Sequence, residues 1–164
     1  MKRFLPPGLM IFAGVLGLAP HAGLAEQDVP KTPRKADLRE AILRKFLKAN
    51  HCPDQEFAEL LISEADANGL DWRLLPSIAL VETGGGRTAK GNNLFGWSNG
   101  KIAFSTIGEA IHQVASALSG GRAYRGKSLN ALLFTYNNER PDYGMMVLDI
   151  MRQISPVQQI AATE

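Results

Sequence analysis

The chain has 164 residues, with 18 basic and 16 acidic side chains, 45% hydrophobic residues and one cysteine. Lys2 and Arg3 fall in a leader-like segment, and without them 16 charges of each sign remain. That balance argues against nucleic acid as a partner, since such binders need a sustained basic surface. Cys52 stands alone, and His21, His51 and His112 show no ligand spacing. An internal disulfide and a cysteine-built metal site are excluded, and no metal or cofactor is expected.

Lys2 and Arg3 precede an apolar run from Leu9 to Ala19, and Gly23-Leu24-Ala25 offers small residues where a signal peptidase reads. Pro6, Pro7, Pro20 and His21 interrupt the apolar stretch, which is too short to span a bilayer. Residues 1–25 are expected to be a cleaved secretory signal. The remaining 139 of the 164 residues suit one small domain, periplasmic or secreted, without a membrane anchor. Residues 26–36, EQDVPKTPRKA, hold two prolines and little apolar material and read as a flexible lead-in. Residues 26–50 carry seven basic and four acidic groups, and 51–82 one basic and seven acidic, an asymmetry read as solvated helix faces. Cys52, beside Pro53 at a helix start, is expected to be buried as a small hydrophobe.

From residue 37 to 155 the apolar residues recur at helical spacing. Leu38, Ala41, Ile42, Phe46 and Ala49 form one stripe. Phe57, Leu60, Leu61 and Ala65 form a second, opened by Pro53-Asp54 and closed by Asn68-Gly69. The run from Asp71 to Glu82 is apolar on nearly every side, which predicts a buried central helix, regular from about Pro76. In LFGWSNGKIAF, residues 94–104, Asn99-Gly100 between aromatic and aliphatic residues predicts a short β-hairpin. Thr106 and Glu109 make a T-x-x-E capping box for a helix carrying Ile107, Ala110, Ile111, Val114, Ala115 and Leu118 and ending at Gly120-Gly121. Leu129, Leu132, Leu133 and Tyr136 form another stripe, and Val147, Ile150, Met151 and Ile154 the last; residues 156–164 read as a weakly structured tail. The expected fold is mainly α, with five to six helices around a central one and the hairpin near 94–104.

The stretch ALVETGGG, residues 79–86, joins a buried helix to a carboxylate and then to three glycines. Glu82 at such a helix end meets unsatisfied carbonyls at the negative end of the dipole. Burial and dipole both disfavour the anion and raise its pKa. A carboxylic acid that keeps its proton near neutrality can protonate the leaving oxygen of a glycosidic bond. The glycines end the helix and let a substrate chain come close to the backbone. An exposed glutamate before a flexible loop is the plain alternative. Tyr136 ends its stripe facing inward, where a buried hydroxyl needs a partner, either a carboxyl or a backbone carbonyl. Trp97 is expected in partial exposure and Phe95 in the core.

The helix ending in Glu82-Thr83-Gly84, then GNNLFGW at 91–97, then Tyr136-Asn137 closing a later helix, together resemble the lysozyme-like superfamily. Within it the resemblance is to bacterial peptidoglycan-cleaving enzymes, the glucosaminidases with their N-N-L-F-G stretch and the soluble lytic transglycosylases. It covers about residues 55–153. It implies a lysozyme-like catalytic domain over residues 37–155, acting as a monomer on peptidoglycan glycan strands, with Glu82 as the catalytic acid. It also implies that Asn93, Phe95 and Gly96 line a substrate cleft, into which the partly exposed Trp97 is expected to reach. Tyr136, with Asn137 beside it, would position the acid. A glycan-binding domain of the same fold without turnover is the rival, and the retained Glu82 speaks against it.

The pattern departs from both families. Neither the G-L-M-Q stretch of the transglycosylases nor the second acidic residue of the glucosaminidases is present, since Thr83 to Gly100 contains no Asp or Glu. Glu109 is expected in its cap, and Glu139 and Asp142 at the start of the last helix. With no evident base for water, the reading leans to non-hydrolytic cleavage, in which the substrate's own hydroxyl closes on the anomeric carbon.

Overall fold

A computed structural model of the chain describes residues 37–53 and 55–156. The expected signal, the lead-in, Asp54 and the tail beyond Pro156 lie outside the described residues. The described residues form six α-helices, a short 3-10 turn at Gln55–Phe57 and no strand. The helices are α1 (Leu38–Ala49), α2 (Ala58–Ala67), α3 (Leu74–Thr83), α4 (Ile107–Gly120), α5 (Leu129–Tyr136) and α6 (Tyr143–Ile154). The fold is mainly α.

Polar side chains satisfy the first amides of three helices, as an exposed helix start requires. Asp37 accepts from Arg39 N, Thr106 from Glu109 N and Ser128 from Ala131 N. At α4 the Glu109 carboxylate reaches back to Ser105 N at 2.8 Å, completing the expected capping box one residue upstream of Thr106.

Leu74 to Ala79 of α3 are buried, and α3 packs chiefly on α6 with α2 on another side. It begins at Leu74, two residues before the expected start at Pro76, because a proline in the first turn lacks only an amide that no carbonyl would meet there. Ala110, Ile111, Val114, Ala115 and Leu118 of α4, Leu132 and Leu133 of α5, and Val147, Met151 and Ile154 of α6 are buried as their spacing predicts. Cys52 is buried too.

The face of α1 differs from the expected one. Leu43 and Leu47 are buried, whereas Leu38 and Ile42 are exposed, as are Ala41 and Ala49. Arg39 holds both carboxylate oxygens of Asp66 on α2, at 2.9 and 2.7 Å, while gripping Asp37. Leu43 and Leu47 face the core, with Phe46 half-buried beside them, and the exposed Arg39–Asp66 pair adds little to that choice of face.

The hairpin expected at 94–104 is a series of turns. Asn99 and Gly100 do take positive φ, 55° and 72°, and Lys101 N bonds Ser98 O across them, as the Asn-Gly pair predicts. A strand ladder does not flank the turn. The Asn93 side chain takes its place, donating to Trp97 O and Ile102 O at 2.9 Å each and accepting from Trp97 N at 2.8 Å. Asn92 donates to Phe104 O and Ser105 O, and Phe104 N returns to Gly91 O.

Candidate active site

The end of α3 places Glu82. Gly84 adopts the left-handed conformation, φ 62° and ψ 36°, and stops the helix two residues beyond the glutamate. Between them Thr83 is buried, its hydroxyl 2.7 Å from Leu94 O and 3.1 Å from Ala79 O, and it accepts from Gly86 N. This one side chain ties the helix terminus to the loop that follows. The glycines after Glu82 are explained differently from the expectation. Gly85 lies against Cys52, where an added Cβ would meet Sγ at 2.3 Å, and none of Gly84, Gly85 and Gly86 lines the cleft. The glycine that approaches the carboxyl is Gly96, with φ 59°. A Cβ there would stand 2.7 Å from Glu82 Oε2.

Glu82 opens into a cleft of about 550 Å3. Gly96, Trp97 and the Ser98–Gly100 turn line it from the loop, Tyr136 and Asn137 from the end of α5, Asn138 and Glu139 from the α5–α6 connection, and Tyr124 from the α4–α5 connection. Trp97 sits between Tyr124 and Tyr136, with ring centroids 6.0 and 5.7 Å away. Such an aromatic wall beside polar loop edges suits a sugar, whose C–H faces pack on rings while its hydroxyls seek hydrogen bonds.

Glu82 is half-buried, and burial pushes its carboxyl above the ordinary 4.5. The Tyr143 hydroxyl and the Arg140 charge pull it down, and burial prevails. The direction agrees with the sequence expectation; burial is its cause.

Tyr136 shares the cleft with Glu82 and gives its hydroxyl to the backbone. Its hydroxyl donates to Phe95 O at 2.6 Å, the backbone alternative, and burial followed by the Glu82 charge raises its pKa. Behind it lies Tyr143, the first residue of α6, stacked almost parallel at 5.7 Å. Tyr143 is 1% exposed, and its hydroxyl has no partner of standard geometry among the described residues. It lies near enough to Glu82 to hold that carboxyl's pKa down, and burial with the Glu82 charge raises its own. The signal for it was the α6 stripe itself, since Tyr143 lies one turn before Val147 on the same face.

Of the expected site residues, Glu82, Gly96, Trp97, Tyr136 and Asn137 meet at the cleft. Asn93 and Phe95 do not. Asn93 is 2% exposed and holds the loop together, and Phe95 is fully buried as its core assignment predicts, offering only its carbonyl to Tyr136. Alternation along a strand would have set Phe95 and Trp97 on one face, but the positive φ of Gly96 turns the chain between them. Tyr124, Tyr143 and Glu139 are additions that the motifs did not single out. Tyr124 sits in a glycine-bounded basic loop without periodicity. Glu139 was assigned to the last helix, which begins only at Tyr143.

Among the described residues no group of three or more His, Cys, Asp and Glu side chains could hold a metal ion, and no helix is long and apolar enough to cross a membrane. No protein-family model matches this chain, and no curated protein matches it by sequence.

Proposed function

We propose that this chain is an exported, lysozyme-like enzyme that cleaves the glycan strands of peptidoglycan, with Glu82 as the general acid. The observation that carries this reading is the environment of Glu82: half-buried, its pKa raised by burial, and open to a cleft walled by Trp97, Tyr124 and Tyr136. Proton donation to a glycosidic oxygen needs such a carboxyl, protonated where an ordinary glutamate is not. The motif order from Glu82 through GNNLFGW to Tyr136-Asn137 supports the substrate class by resemblance, and the residues at 1–25 support export.

Tyr143 would bond the Glu82 carboxylate once its proton has left, stabilising the form that must later take a proton back. Gly96 leaves room for the carboxyl to point into the cleft. Trp97 would stack on the sugars, backed by Tyr136, and Asn137 and the Ser98–Gly100 turn would meet their polar edges. The test is digestion of purified sacculi, followed by sedimentation and mass spectrometry of the supernatant. Soluble muropeptides are expected. Protein that sediments with the sacculi yet releases nothing would replace the enzyme with a glycan-binding domain.

A further inference from the structure

The geometry points to Glu139 as the second carboxylate of the reaction, the base that activates water for direct displacement at the anomeric carbon. This rests on the reading of the cleft as a glycan-cleaving site. The sequence places Glu139 at the start of the last helix, away from the chemistry. In the structure α6 begins at Tyr143 with Asp142 at its N-cap, so Glu139 belongs to the α5–α6 connection and lines the same cleft as Glu82.

Three observations leave it available. The neighbouring cation, Arg140, pairs with Asp142 at 3.2 Å. Glu139 forms no hydrogen bond or ion pair among the described residues. It is also exposed, whereas Glu82 is half-buried. Two carboxyl groups in one cleft therefore have opposite environments, one favouring the protonated acid and one open to water, the division of labour that glycoside hydrolysis by inversion requires. Glu109, the other candidate base near the cleft loop, is held by Ser105 N and Gln113.

In the step, a water molecule gives one proton to a Glu139 oxygen while its own oxygen bonds the anomeric carbon. The bond from that carbon to the glycosidic oxygen breaks, and the departing oxygen takes the proton of Glu82. The products are two chain ends, one a free reducing end of inverted configuration. No oxidant or co-reactant is involved. The two carboxyl groups are expected to stand about 6.5–9.5 Å apart once substrate is bound, leaving room for that water.

The test uses the full chain on sacculi in 18O-labelled water, comparing wild type with Glu139→Ala and adding sodium azide. The wild type is expected to release fragments carrying one labelled oxygen at a free reducing end. Glu139→Ala is expected to lose about a hundredfold or more in rate while binding sacculi as before. Azide, which needs no base, is expected to restore at least a tenth of the rate and yield a glycosyl azide of inverted configuration. Anhydro products from the wild type, an undiminished rate in Glu139→Ala, a loss that azide leaves unrestored, or an azide product of retained configuration would overturn Glu139 as base. Each leaves Glu82 as acid intact. A wild type that releases nothing from sacculi would sink the proposed function and this inference with it.

Discussion

Gly96 and Glu82 are in contact across the cleft: a single methyl group added at Gly96 would lie 2.7 Å from Glu82 Oε2. The loop residue and the acid lie fourteen positions apart in separate motifs, and the turn at Gly84 with the Thr83–Leu94 tie brings them together.

Gly96→Ala is expected to push the carboxyl out of its place. A non-glycine residue at φ 59° costs about 1–2 kcal/mol, so the fold should survive. Displacing the acid by about an ångström should lower sacculus cleavage by about a hundredfold. Circular dichroism and a turbidity assay on the same preparation check both.

The two stacked tyrosines should separate by pH. Loss of the Tyr143 hydroxyl removes a group that holds the Glu82 carboxyl down, so in Tyr143→Phe that carboxyl should titrate higher still. Activity that depends on protonated Glu82 falls as pH rises through its pKa, so the alkaline limb of the pH–rate profile should move to higher pH. Tyr136→Phe instead strands Phe95 O, with a loss of about 1 kcal/mol in stability and the limb nearly in place. Full pH–rate profiles of both variants decide the assignment.

Asn93→Ala is a prediction about the cleft wall. Its buried side chain supplies three part-buried hydrogen bonds in place of a strand ladder. Losing them should cost about 1–3 kcal/mol and loosen Trp97. A lowered melting temperature with quenched or red-shifted tryptophan emission is expected.

How far these features were legible in the sequence depended on the range of the interaction that decides each. The face and cap of α4 follow from local rules, and Thr106, Glu109 and the Ala110–Leu118 stripe appear where the spacing predicts. The Asn99-Gly100 turn is equally local and forms, but whether strands flank it is settled by Asn93, a side chain reaching four and nine residues along the loop. The face of α1 is settled by its packing on α2 and α6, a long-range choice that buries Leu43 and Leu47 and that the local spacing of Leu38 and Ile42 does not show. Within the site, Glu82 was readable because a carboxyl at a buried helix end is unusual. Tyr143 and Glu139 were missed over a helix boundary: α6 starts at the tyrosine, which puts its ring inside and leaves Glu139 in the cleft loop.

Stability should also report on the acid. A carboxyl with a folded pKa above its unfolded value binds its proton more tightly when folded, so folding is favoured at low pH and penalised as pH rises. The penalty begins near the ordinary value of 4.5 and is complete above the raised folded value. Glu82→Gln, which has no charge to bury, should therefore melt with the wild type below that range and above it at neutral pH. Thermal melts across pH 3–8 (roughly the span in which carboxyl groups titrate) check the divergence.

The central claim is that Glu82 donates the proton that breaks a glycan strand. The direct measurement is the rate of soluble muropeptide release from purified sacculi by wild type and by Glu82→Gln, at equal concentrations of folded protein. The glutamine keeps the shape and loses the transferable proton, so release should fall by about a hundredfold or more while sacculus binding persists. A folded Glu82→Gln variant that releases muropeptides at the wild-type rate would contradict the account.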